Sequence, residues 1–129
     1  MSDRTVRTRW TGGMRAVTDA HEFELVVDEP EIHGGTGTGP QPTDLLLASV
    51  SSCLALSVAF VARKLGVELP DLSVTVVGTY QGLEFERITA SITSSTPREV
   101  LEGLVSEAER VCYVSNTLRR RPELVVRVD

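Results

Sequence analysis

PTDLLLASVSSCLALSVAFVARKL, Pro42 to Leu65, is the longest and most apolar stretch of the chain, and the other elements must be arranged around it. Between Asp44 and Arg63 lie 18 residues without a charge, and apolar or small side chains fall on every face of a helical wheel. A helix with one wet face shows a stripe instead, so the pattern predicts a helix covered all round. A run of this length stands at the lower edge of what spans a bilayer. Ser49, Ser51, Ser52 and Ser57 dilute it, it lies mid-chain, and the flanking segments alternate polar and apolar residues as water-facing strands do. The expectation is therefore burial in protein, with no membrane partner. From Thr43 to Leu65 the helix has 23 residues, a length of about 34 Å. A chain of 129 residues has few elements with which to wrap it. A second copy of the chain is the expected remainder of the cover.

The ends of this helix carry ordinary signals. Pro40 and Pro42 hold the approach extended, Thr43 or Asp44 can cap the free N–H groups, and Asp44 suits the positive end of the helix dipole. Arg63 and Lys64 occupy the last turn and Gly66 stands just past it.

Composition narrows the classes. With 41% hydrophobic and 24% charged residues over 129 positions, the chain reads as a single soluble domain, residues 1–129. Its formal charge of −5 argues against a nucleic-acid partner, which needs a basic surface. The only dense basic run, Arg119 to Arg121, reads as a solvated turn. The opening MSDRTVRTRW is charged and has no apolar core of a secretory signal, so a cytoplasmic location is expected. In a reducing compartment two cysteines read as reduced, catalytic or redox-cycling groups.

In chain order, Thr5 to Trp10 alternates as a strand with one wet face. Gly12-Gly13 turns into Met14 to Thr18, and Asp19-Ala20-His21 turns into Glu22 to Asp28, completing a three-stranded meander. Glu29 to Gln41 contains GGTGTGP. It lacks the G-x-G-x-x-G spacing and any following Lys-Ser/Thr, so it reads as a flexible flap leading to the helix and not as a phosphate cradle. After Gly66, Leu72 to Tyr80 and Leu83 to Thr93 form a hairpin, with a change of apolar parity that predicts a bulge near Glu86-Arg87. Thr96-Pro97-Arg98-Glu99 supplies a capping box ahead of a second helix, whose Val100, Leu101, Leu104, Val105, Ala108 and Val111 make one apolar stripe. Ser115 to Arg120 is a short turn or helix, and Leu124 to Val128 a last strand. The order is βββ-α-ββ-α-β, an α+β fold with antiparallel sheets.

Chemistry has few places to live. The two histidines, His21 and His33, stand at no metal-ligand spacing from a cysteine or from each other, so no metal is expected. No G-x-S-x-G elbow exists. Cys53 and Cys112 remain. Free cysteine is often a small core hydrophobe, and that reading stands beside a chemical one. Cys53 lies among Ser51, Ser52 and Ser57, and Cys112 heads CYVSNTL, whose Ser115, Asn116 and Thr117 can donate hydrogen bonds to a thiolate.

Three stretches carry a resemblance: TGGMR after the first strand, GPQPTDLLLASVSSC leading into the central helix, and CYVSNTL after the second helix. In this order and spacing they resemble the OsmC/Ohr family, the osmotically inducible and organic hydroperoxide resistance proteins. The resemblance implies an OsmC-like fold, an intertwined homodimer with the central helices at its middle, and a cofactor-free thiol peroxidase acting on organic hydroperoxides. It also implies roles. Cys53 would be peroxidatic and Cys112 resolving, and the resulting disulfide would be returned by an external dithiol reductant. Arg15 would be the cation beside the thiolate, one residue later than the family's arginine after two glycines. The family's glutamate ten residues before the cysteine falls on Thr43, with Asp44 next to it. Asp44 and Cys53 are nine residues apart, roughly 13.5 Å along an unbroken helix, so the implied site draws Arg15 or Asp44 from a partner chain. An apolar pocket beside Cys53, lined by Leu46, Val50 and Leu56, would favour alkyl or lipid hydroperoxides. Two other readings of the same fold are a dimeric small-molecule binding or redox-sensing protein without efficient turnover, and a purely structural dimer.

Overall fold

The structure, a computed structural model, describes residues 2–129. Its elements are β1 (Arg7–Gly12), β2 (Arg15–Ala20), β3 (Phe23–Val27), α1 (Pro42–Leu65), β4 (Ser73–Gln81), β5 (Glu84–Thr93), α2 (Arg98–Val111) and α3 (Tyr113–Arg120), with one turn of 3-10 helix at Glu31–His33. This is the expected α+β order as far as α2. Leu124 to Val128 is not a strand but an exposed tail. The segment has the β-branched composition of a strand, but among the described residues no strand pairs with it. The chain divides into two compact units, residues up to Leu46 and residues 47–129.

The first unit is the meander. β1, β2 and β3 pair antiparallel in sequence order. Gly12 takes φ 107° and Gly13 φ 57°, so the β1–β2 turn uses the left-handed region that favours glycine. A register shift between Trp10 and Gly12 leaves Thr11 as an extra residue, a bulge just before Arg15. The second turn places His21 at φ 57°. Register puts Trp10, Ala16 and Val27 in one row and Thr8, Thr18 and Leu25 in the next, on a face where Trp10 and Phe23 stay exposed.

The glycine loop that follows is not the flexible flap expected. Asp28, at the end of β3, is buried, and its carboxylate accepts hydrogen bonds from the backbone N–H of Glu29 at 2.8 Å, of Thr36 at 3.2 Å and of Thr38 at 3.1 Å. The hydroxyls of Thr36 and Thr38 donate to it as well. Gly35 and Gly39 make the wrap possible. A Cβ on Gly35 would lie 1.8 Å from the Glu29 carbonyl oxygen, and one on Gly39 2.5 Å from that of Val26. The loop is closed by the Asp28 N–H donating to the Pro40 carbonyl at 3.0 Å.

In the second unit, α1 ends in a Schellman motif: Gly66, at φ 69°, donates to the Arg63 carbonyl at 3.2 Å and Val67 to that of Ala62 at 2.8 Å. Only one side of α1 is covered. Val50, Leu54, Ser57, Val58, Val61 and Ala62 are buried, whereas Leu56 and Phe60 are exposed. The cover consists of Leu104 and Ala108 of α2 over Val58, Val61 and Ala62, and of Val74, Val76 and Ile88 of the β4–β5 hairpin about Val50, Leu54 and Cys112. The bulge appears where parity predicts it: Thr79 pairs with Arg87 and Tyr80 with Phe85, so Glu86 is unpaired. The expected capping box does not form. Thr96 bonds to Ser94, and α2 starts after Pro97, whose carbonyl takes the first helical bond from Leu101 at 2.9 Å. Proline's fixed φ and its extended ψ of 139° make Pro97 the boundary, one residue later than the sequence suggests.

Candidate active site

The N-terminal unit holds Arg15, Thr43 and Asp44. Asp44 is the third residue of α1, and its carboxylate accepts a hydrogen bond of 2.9 Å from the Gln41 N–H ahead of the helix. That is the acidic half of a capping box. Thr43 is half-buried in the first turn. Arg15 forms no ion pair with Asp44 among the described residues. Its Nε donates to Thr38 Oγ1 at 3.3 Å and its Nη1 to Thr11 Oγ1 at 3.3 Å. Thr38 Oγ1 in turn donates to Asp28 at 2.7 Å. The carboxylate standing behind Arg15 is therefore Asp28, reached through a threonine hydroxyl. Hydrogen bonding from Thr36 holds Asp28 well below the ordinary carboxylate value against burial, which pushes it up; Thr38 and the Glu29 backbone add to the lowering. Asp28 is thus charged across the physiological range.

The second unit brings the two cysteines together. Cys53 lies in the middle of α1, half-buried, and Cys112 is the residue between α2 and α3. They are 59 positions apart in sequence, and their sulfurs share an S–H···S contact of 3.1 Å. Both are free thiols. A disulfide needs about 2.05 Å, so closing the bond asks for roughly 1 Å of movement.

The two thiols differ in surroundings. Cys112 has 0% of its surface exposed and packs with Val50 and Leu54. Burial pushes its thiol up, but hydrogen bonding from the Ser115 side chain and backbone, from Cys53 and from the Val114 backbone outweighs it, and the thiol lies below its ordinary value. Ser115 and Val114 belong to the first turn of α3, where N–H groups have no partner within the helix, and Cys53 comes from α1. Asn116 completes the corner, its side-chain amide donating to the Arg110 carbonyl at 3.2 Å. Cys53 instead opens on a cleft of about 830 Å³ lined by Ser49, Ser52, Leu56, Phe60, Arg110, Val111, Tyr113, Val114 and Asn116. Leu56 lines it as expected. Val50 faces the opposite way, into the cluster around Cys112.

Two residues escape a reading of the sequence alone. Asp28 is visible only as the last residue of an alternating strand, although two threonines spaced by one glycine are what a buried carboxylate can recruit. Arg110 lies two residues before Cys112 and off the apolar stripe, so it reads as a solvated helix residue; it makes a 3.6 Å ion pair with Glu107. The fold turns it onto the same cleft as Cys53. Among the described residues no group of three or more His, Cys, Asp and Glu is placed to hold a metal ion.

Comparison with solved structures agrees with this architecture. An organic hydroperoxide resistance protein OsmC from Legionella pneumophila superposes with a TM-score of 0.67 at 20% identity, covering 92% of this chain and 90% of its own. An OsmC-like protein from Mycoplasma pneumoniae gives 0.76 at 16% identity, with 92% and 88% covered. An organic hydroperoxide resistance protein from Elizabethkingia anophelis gives 0.68 at 19% identity, with 94% and 91% covered. Identities this low speak for the fold alone. No curated protein matches the sequence. The model of the family described as OsmC-like protein matches residues 35–127, most of the chain and both cysteines, and the chain belongs to that family.

Proposed function

We propose that the protein is a thiol peroxidase that reduces organic hydroperoxides, with Cys53 as the attacking sulfur and Cys112 as the resolving one. The observation that carries this reading is the pair of free sulfurs 3.1 Å apart, that of Cys53 at the wall of an apolar cleft and that of Cys112 buried behind it. The Cys53 thiolate attacks the terminal oxygen of R–O–OH, the O–O bond breaks, and the alkoxide leaves as the alcohol after taking a proton. Cys53 becomes a sulfenic acid. The Cys112 thiolate then attacks the Cys53 sulfur, the S–O bond breaks, and hydroxide leaves as water. An external dithiol restores both thiols. No cofactor enters this cycle. Leu56, Phe60 and Val111 make the cleft wall apolar, which suits an alkyl chain better than hydrogen peroxide.

A cation is needed to enlarge the thiolate population, and two guanidiniums are candidates. Arg15 is held by Thr11 and Thr38 in the N-terminal unit; Arg110 lines the Cys53 cleft itself. The working species in this reading is a homodimer. The exposed Trp10 and Phe23 of the meander and the exposed Leu56 and Phe60 of α1 are apolar surface that a second copy would cover. Sedimentation at micromolar concentration should give twice the mass of 14.0 kDa.

Thiol counting after one equivalent of cumene hydroperoxide tests the proposal. Both thiols should vanish in the wild type, and the one thiol left in Cys53→Ser, Cys112, should survive. Unchanged thiols in the wild type would leave the second reading, a binding or redox-sensing dimer of the same fold, to which the size of the cleft is equally suited.

A further inference from the structure

Once Cys53 and Cys112 are joined, an incoming thiolate has two sulfurs to choose from, and they are not equivalent. Attack on a disulfide proceeds from the side opposite the departing sulfur, so the attacked sulfur needs open space behind it. Cys112 is 0% exposed, with Val50 and Leu54 buried beside it and Val74, Val76, Ile88 and Val114 packed against them. Cys53 faces a cleft of about 830 Å³.

The leaving side is asymmetric too. Exchange is faster when the departing thiol is more acidic. Cys112 stands at the start of α3 with Ser115 three residues on, and the Ser115 hydroxyl makes only a long 3.4 Å bond to the Cys112 carbonyl. A bond of that length is weak, which frees the hydroxyl for the sulfur. Ser115 thus stands where it can receive negative charge at Cys112.

We propose that the disulfide reopens in one direction only: an external dithiol attacks Cys53, and Cys112 departs as a thiolate received by Ser115, which acts as a positioning residue. In the first step one thiolate of the dithiol bonds to Cys53 Sγ, the Cys53–Cys112 bond breaks, and its electron pair leaves on Cys112. In the second, the other thiol of the reductant, deprotonated, attacks its partner sulfur in the mixed disulfide and expels the Cys53 thiolate. The protein disulfide gains two electrons, the dithiol loses two and leaves as its own disulfide, and its two protons return to the cysteine pair. The inference rests on the peroxidase reading for the place of the disulfide in a cycle, but not for its formation, since diamide can make the bond without a peroxide.

The test uses the diamide-oxidised full chain, glutathione as the attacking thiol, an acid quench after milliseconds and peptide mass spectrometry. Glutathione should be found on Cys53 with Cys112 free; an equal or larger share on Cys112 overturns the proposal. In stopped flow with dithiothreitol, Ser115→Ala should slow reopening about threefold to tenfold through the leaving-group dependence, and Ser115→Thr should restore it. Reopening at the wild-type rate in Ser115→Ala removes Ser115 from the step. If cumene hydroperoxide leaves both thiols intact while the diamide-made disulfide still opens at Cys53, the peroxidase reading fails and the directional one survives. A chain in which diamide forms no disulfide refutes both.

Discussion

In the unit up to Leu46 the enclosed ionisable group is a carboxylate, Asp28, and five donors from Glu29, Thr36 and Thr38 close around it. In residues 47–129 the enclosed group is a thiol, Cys112, whose neighbour Cys53 is left facing an open cleft. Both groups are held below their ordinary values by hydrogen bonds that outweigh burial. The consequence differs with the acid. A carboxylate is ionised at neutral pH anyway, so its donors serve to fix a loop. A thiol is not, so its donors change how much of it can react.

Removing each sulfur in turn should have the largest effect. Cys53→Ser should abolish hydroperoxide turnover, because Cys53 is the thiol that lines the cleft and its sulfur lies 3.1 Å from that of Cys112. Cys112→Ser should still consume one equivalent of hydroperoxide and then stop at the sulfenic acid, which dimedone would label. Equal behaviour of the two variants would mean that enclosure does not divide their roles. Next in size are the guanidiniums. Loss of a preorganised charge from a reacting centre costs on the order of a hundredfold in rate. Whichever of Arg15→Ala and Arg110→Ala shows that loss in the first-equivalent rate identifies the cation; the other should change it by less than about threefold. If neither variant slows, the thiolate is sustained by the cysteine pair and the α3 donors alone.

These predictions reach beyond what the sequence disclosed, and the reason is visible in particular residues. The long helix and the Glu86 bulge were legible because each follows from periodicity, whereas a partnership of Cys53 with Cys112 was only what the family resemblance implied. The full cover of α1 was not, since apolar residues on every face say that a helix will be covered but not by which chain; in this chain Leu56 and Phe60 remain outside. The capping box at Thr96 failed because Ser94 competes for its hydroxyl and N–H. Arg15 and Asp44 were legible as polar candidates, but their partners were not. Asp44 turns back to Gln41, and Arg15 reaches Asp28 through Thr38, a contact between positions 23 apart that no local pattern announces.

A smaller effect separates the two reasons a glycine loop can need its glycines. At Gly35 a methyl group would meet backbone, with Glu29 O at 1.8 Å, so Gly35→Ala must lift the loop off Asp28. An overpacked site of this kind costs about 3 kcal/mol. At Gly37 there is open space but φ is 65°, and alanine there costs about 1 kcal/mol from backbone strain alone. Urea midpoints should therefore rank wild type, Gly37→Ala and Gly35→Ala in falling order. The reverse order would mean that the loop is not seated on the end of β3.

The least effect is one of pH, and its sign follows from the direction in which Asp28 is held. A carboxyl lowered in the folded chain contributes stability that is fully present above its unfolded value of 3.8 and fades as the pH falls through the lowered one. The wild type should therefore lose thermal stability progressively in acid below that value. Asp28→Asn keeps the shape of the side chain and one acceptor oxygen but removes the charge. Its midpoint should lie below the wild type's at neutral pH and approach it as acid is added. The donors around Asp28 are Glu29, Thr36 and Thr38, none of which bonds to Cys112, so Asp28→Asn should leave the pH dependence of dithiol reopening unmoved. Parallel melting curves for wild type and Asp28→Asn from pH 5 down to pH 2 would show that hydroxyl and amide dipoles, not charge, hold the loop, and the likeness between the two enclosed acids would then be one of burial only.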